Sequence, residues 1–153
     1  MSSTLVLFVR HGRTPTTGTT LPGRAPGLHL SAEGLRQADA VATGLAGASA
    51  GMPGGGVAAV YSSPMERTRE TAAPIARAVG RRVRTAPGLI ECDFGRWTGR
   101  RLKELSRLKA WRSVQRQPST FRFPGGESFA EMQARITGQV AELVLEHPGE
   151  TIV

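Results

Sequence analysis

The 153 residues contain one cysteine, Cys92, which excludes an internal disulfide framework and any paired-cysteine metal site and agrees with a reducing cytoplasm. Aromatic residues make up 5% and the apolar fraction is 39%, so a core must be assembled chiefly from Ala, Val, Leu and Ile. That composition favours sheet and helix faces of an α/β domain over a sandwich. No long apolar run opens the chain: Leu5 to Val9 falls far short of the ~20 residues of a membrane helix and of most signal segments. A soluble, cytoplasmic protein without a membrane partner is expected. Lysine is nearly absent too, since 18 of the 20 basic residues are Arg, and the formal net charge is +8. The surplus implies an anionic partner, and the planar guanidinium fork matches phosphate oxygens two at a time, although a codon bias would give the same count. A nucleic-acid surface would cluster basic residues with exposed aromatics. Here the Arg are dispersed and aromatics scarce, so no nucleic-acid partner is expected.

The length suits a single domain over residues 1–153, which at this size buries roughly two thirds of its unfolded surface. Leu5-Val6-Leu7-Phe8-Val9 reads as a strand buried on both faces of a parallel sheet, and Arg10-His11-Gly12 follows at its carboxyl end, where open α/β sheets place their ligand crevices. Residues 13–30, rich in Thr, Gly and Pro, predict a functional surface loop. Ser31 then predicts a helix start, with Leu30 and Leu35 as a hydrophobic staple and Leu35, Ala38, Ala42 and Leu45 as the apolar face. Val57 to Tyr61 reads as a second strand. Ser63-Pro64-Met65-Glu66 predicts a capped helix that bends or restarts at Pro74 and closes at Gly80, followed by a strand near Val83. Leu102, Leu105, Leu108 and Trp111 suggest a shorter helix. Ser128 and Glu131 form a second capping box, which opens a helix ending at His147-Pro148-Gly149, and a further apolar run starts at Thr151.

The chemistry is concentrated in four residues. A neutral imidazole at His11 can attack phosphorus and split a phosphoryl transfer into two steps. Arg10 beside it, and Arg67 near a helix N-terminus, can hold the phosphoryl oxygens. Glu91, after the apolar Leu89-Ile90 and before the Gly-punctuated segment 92–99, is the candidate proton donor to a leaving alkoxide. The plainer expectations are that His29 and His147 are structural, that Cys92 is a packed apolar residue, and that Trp97 and Trp111 anchor a core.

Taken together, Leu5 to Gly12, Ser62 to Ala72 and Leu89 to Gly99 resemble three ordered motifs of the histidine phosphatase superfamily, also called phosphoglycerate mutase-like. The resemblance implies a three-layer α/β/α fold with a mostly parallel central sheet. It implies His11 as the phosphorylated nucleophile, Arg10 and Arg67 as phosphate ligands and Glu91 as the acid, with no metal or organic cofactor. Residues 21–30 and Pro124 to Phe129 look most like small bacterial broad-specificity phosphatases, with Glu127 and Ser128 at the pocket rim. Thr17 stands where many relatives carry Asn, and its hydroxyl can still hydrogen-bond to phosphate. The family's second His-Gly motif follows the next strand, and the sequence stops at Val153 before it, so roughly 40 to 60 further residues are expected to supply that histidine. The expected activity is hydrolysis of small phosphate esters. Phosphoglycerate mutase-type transfer and a non-catalytic phosphate-binding module are the alternatives, and a homodimer stays open.

Overall fold

A computed structural model of the chain describes residues 3–153. Its sheet is built from β1 (Leu5–Val6), β2 (Val57–Ser62), β3 (Val83–Thr85) and β4 (Thr151–Ile152), all parallel, in the order β1-β4-β2-β3. Parallel neighbours need crossover connections, which α1 (Ala32–Ala48) supplies between β1 and β2 and α2 (Glu66–Ala78) between β2 and β3. From β3 the chain runs through α3 (Leu102–Leu105), α4 (Lys109–Arg116) and α5 (Phe129–Glu146) before returning as β4. The family-like fold expected from the motifs is the fold observed.

Side-chain parity along β2 decides which helices cover which face. Val57 and Val60 pack with Ala42 of α1 and Ala72, Ile75 and Ala76 of α2, whereas Ala59 packs with Ile152 of β4 and Leu143 of α5. Strict alternation would put Val57 and Ala59 on one face. The register shift between them, two residues of β2 against one step of β4, inserts the extra residue that separates them. The sheet therefore lies between α1 and α2 on one side and α5 on the other, as a middle layer. No helix among the described residues is long and apolar enough to cross a membrane.

The aromatic residues are few but gathered. Six of the eight, Phe94, Trp97, Trp111, Phe121, Phe123 and Phe129, belong to a separate core with Cys92 and Leu105. Trp97 stacks on Trp111 at 6.0 Å and meets Phe123 edge-on at 5.5 Å, so both tryptophans anchor this core as expected. Cys92 is buried in it. Burial, with Glu127 and Glu91 nearby, pushes its thiol up to about 11, which leaves it an apolar packing residue rather than a nucleophile.

Five local expectations are corrected. The ladder of the first strand covers only Leu5–Val6, short of the expected Leu5–Val9, and among the described residues it pairs with β4. Leu35 is exposed at 49%, so it staples nothing; Gly34 takes the inward position, with Ala38 and Ala42. Ser63 does not cap α2. The helix begins at Glu66 after an extended Met65, and Thr68 Oγ1 donates to the Ser63 and Met65 carbonyls instead. Pro74 starts no new helix, because α2 runs on to Ala78 with the proline inside it. The 102–111 helix is split in two at an extended Leu108, although Leu102, Leu105, Leu108 and Trp111 all still reach the aromatic core.

Gly34 also sets the path of the chain past His11. A Cβ there would stand 2.1 Å from the Arg13 carbonyl oxygen, and a Cβ at Gly12 would stand 2.4 Å from the Gly34 oxygen. The two glycines let the His11 segment and the first turn of α1 touch backbone to backbone. Alanine ordinarily stabilises a helix by about 1 kcal/mol over glycine. Here the sign should reverse: G34A is expected to lower unfolding stability by roughly 1–3 kcal/mol through overpacking. G44A, in open space on the same helix, is expected to raise it. Denaturant titration of both variants checks this, and a stabilised G34A would contradict the packing argument.

Candidate active site

His11 lies just beyond β1, where the chain leaves the sheet. Its ring Nδ1 is 2.8 Å from the carbonyl oxygen of Gly12. A carbonyl only accepts, so Nδ1 is the donor in this contact, which leaves Nε2 as the ring nitrogen available to a ligand. Arg10, His11, Ser62, Ser63, Thr68 and Thr71 help line a cavity of about 310 Å³, whose other walls are mainly apolar residues of the first strand segment, β2, α2, α5 and β4. Ser63 Oγ is buried and has no hydrogen-bond partner. Reading Ser63 as a helix cap hid this role, and only a start of α2 three residues later could have exposed it.

Arg67 and Glu91 are brought together. Arg67, the second residue of α2, is 1% exposed, with Nη2 donating to the Gly23 carbonyl at 3.1 Å and lying 3.7 Å from Glu91 Oε2. Its Nε and Nη1 are buried and make no hydrogen bond. A guanidinium with two undischarged N–H groups beside a carboxylate is costly unless an anion completes it. A short bridge links this pair to the His11 segment: Gly12 N donates to Thr71 Oγ1 at 3.1 Å, which donates to the Arg67 carbonyl at 2.8 Å. Glu91 Oε1 accepts the amide of Cys92 at 2.8 Å.

The other candidates stand differently. Thr17 turns its hydroxyl into its own loop, accepting Thr14 N at 2.9 Å and meeting Thr14 Oγ1 at 3.1 Å. Ser128 is the N-cap of α5, accepting Glu131 N at 3.2 Å while Glu131 Oε2 accepts Ser128 N at 2.9 Å. Glu127 is ion-paired at 2.9 Å with both Arg24 and Arg135 and accepts the amide of Asp93. Neither arginine was singled out by motif or periodicity, since the contacts join residues far apart in the chain. His147 packs against Tyr61 and hydrogen-bonds its hydroxyl at 3.0 Å. His29 pairs with Glu70, whose other oxygen accepts Leu30 N at 2.8 Å, so this histidine ties the 13–30 loop to α2. Both histidines are structural.

The chain matches the family described as histidine phosphatase superfamily (branch 1) over residues 6–153. It belongs to that superfamily. Among curated relatives of this histidine phosphatase-family chain, uncharacterized protein Rv0525 of Mycobacterium tuberculosis is 38% identical over 98% of this chain and 71% of its own length. Phosphoserine phosphatase 1 of Hydrogenobacter thermophilus is 34% identical over 61% of this chain and 46% of its own length. Among solved structures, the mycobacterial glucosyl-3-phosphoglycerate phosphatase Rv2419c superposes with a TM-score of 0.79 at 26% identity, covering 99% of this chain and 73% of its own. A phosphatase among the curated relatives and phosphatases among the solved structures support a hydrolase in general.

The Glu127 cluster has a consequence for stability. Burial alone would raise this carboxyl, but hydrogen bonds from Arg135 and the Asp93 amide, with the charges of Arg135 and Arg24, hold it well below its ordinary 4.5, at about 2. A depressed folded-state value stabilises the fold above the unfolded value and loses that contribution as pH falls. E127Q is therefore expected to be less stable than the parent at pH 7, by on the order of 3 kcal/mol. The gap should close as pH falls from 4.5 towards 2. Urea titrations at pH 7 and pH 3 measure it; a gap independent of pH would contradict the account.

Proposed function

We propose that the protein is a phosphomonoesterase that hydrolyses small phosphate esters through a phosphohistidine at residue 11. In the first step His11 Nε2 attacks phosphorus, the N–P bond forms, the P–O ester bond breaks, and Glu91 gives its proton to the leaving oxygen. In the second, water attacks the phosphoryl group, Glu91 takes back a proton, the N–P bond breaks, and inorganic phosphate leaves. Arg10 and Arg67, with Ser63 Oγ, hold the phosphoryl oxygens and stabilise charge as it develops.

One observation carries this reading: the buried Arg67 keeps Nε and Nη1 without a partner while its Nη2 lies beside Glu91, and Thr71 joins it to the Gly12 amide next to His11. A merely structural arginine at 1% exposure would have its donors discharged on carbonyls or carboxylates. Two of the similar proteins, a phosphoserine phosphatase and a glucosyl-3-phosphoglycerate phosphatase, support a small phosphorylated molecule as the substrate class. The inert, unpaired Cys92 suits the cytoplasm.

The test is a panel of phosphate monoesters assayed for free inorganic phosphate, with vanadate as a mimic of the five-coordinate phosphorus. Release of phosphate in step with the alcohol, blocked by vanadate, is the expected result. Transfer of the phosphoryl group to an acceptor alcohol without free phosphate would instead indicate a mutase. Phosphate binding without turnover would indicate a binding module.

A further inference from the structure

The segment that carries Glu91 has no regular structure of its own. Residues 90–94 run between two single helical turns, Pro87–Leu89 and Gly95–Trp97, so Glu91 is held only as firmly as its backbone is tied. Two guanidinium groups tie it. Arg135 of α5 donates from Nη1 to the carbonyls of Gly88 at 2.7 Å and Ile90 at 2.8 Å. Arg24, from the loop after His11, donates from Nε to the carbonyl of Glu91 itself at 2.7 Å. Glu127 stands between the two: Arg135 donates to its Oε1 and Oε2 at 3.0 and 2.9 Å, and Arg24 Nη2 lies 2.9 Å from Oε2. The same carboxylate accepts the Asp93 amide at 2.9 Å, on the far side of Glu91.

We infer that Arg24, Glu127 and Arg135 are positioning residues for the phosphoryl transfer, a bracket that fixes the Glu91 carboxylate opposite Arg67. This rests on Glu91 being the proton donor, as proposed above. The bracket's bonds fall on the backbone at residues 88, 90, 91 and 93, on both sides of the acid, while the Glu91 carboxylate itself is left to Arg67 and its neighbour's amide. Joining the 13–30 loop, the acid's segment and the entrance of α5 at one carboxylate makes the three move as a unit. A guanidinium can serve a carboxylate and a carbonyl at once because its donors diverge in one plane, which an ammonium cannot reproduce.

Leaving-group dependence separates positioning from mere support. An alkyl phosphate needs a proton on its departing oxygen, whereas 2,4-dinitrophenyl phosphate departs without one. The measured quantity is the ratio of kcat/KM for glycerol phosphate to that for the dinitrophenyl ester. For E127Q and R24M the ratio is expected to fall about 10- to 100-fold, the scale of outer-shell substitutions and of a misplacement near 1 Å. E91Q should show the same discrimination, and the E91Q/E127Q pair should be no worse than E91Q alone. Arg24 is part-exposed in a loop, so R24M keeps the test available should E127Q fold poorly. If E91Q discriminates while E127Q and R24M depress both esters equally, the bracket is structural only and the inference is overturned. If E91Q itself treats both esters alike, the assignment of the acid fails, and the inference falls with it.

Discussion

Replacing His11 with alanine is expected to lower kcat/KM for phosphate-ester hydrolysis by at least ~10⁴-fold, the scale seen when a covalent nucleophile is removed. Stability should hardly change. Among the described residues the half-buried ring makes one hydrogen bond, from Nδ1 to the neighbouring Gly12 carbonyl. The loss is expected in both kcat and kcat/KM, because the interaction removed exists only once the N–P bond is forming. Circular dichroism and a denaturant midpoint matching the parent would assign the loss to chemistry. Turnover retained in H11A would mean that water attacks the ester directly.

Arg67→Met should separate function from stability most sharply. In the proposed mechanism its unengaged Nε and Nη1 hold the transferring phosphoryl group, so kcat/KM is expected to fall by roughly 10²- to 10³-fold, as when one donor to a developing oxyanion is lost. Inorganic phosphate should also cease to raise the unfolding temperature, since that rise reports binding to the native state alone. Two stability terms oppose each other. A buried, incompletely paired charge disappears, which is favourable, while the Gly23 carbonyl loses its donor, which costs about 1–3 kcal/mol. A net change within about 2 kcal/mol is expected. A collapse of the fold, with phosphate stabilisation intact in whatever protein remains, would assign Arg67 a structural duty instead.

The sequence was most legible where local physics acts alone. The Ser128 and Glu131 capping box, the Ser31 cap and the glycine closing α2 could be read because a side chain within three residues satisfies the orphan N–H groups, and φ of +66° at Gly80 needs no Cβ. Parallel strands were readable from β-rich runs spaced by helices. What was not legible depends on residues distant in the chain. The pairing of β1 with β4 joins the two ends of the described chain, which its own apolar run does not reveal. Leu35 gave up the inward face to Gly34 because the His11 segment passes too close for any side chain, a contact invisible to periodicity. The motifs pointed to Arg67 and Glu91, which the fold places 3.7 Å apart. The Arg24–Glu127–Arg135 bracket joins three remote pieces of chain, and no spacing rule reaches across them.

A direct measurement of the central claim is isolation of the covalent intermediate. The protein is mixed with a ³²P-labelled ester, quenched in alkali, which preserves phosphohistidine, digested, and the labelled peptide sequenced. The account predicts an alkali-stable, acid-labile phosphate on His11 that forms and decays as fast as the ester turns over. Full turnover with no label on His11, or with label on another residue, would contradict it.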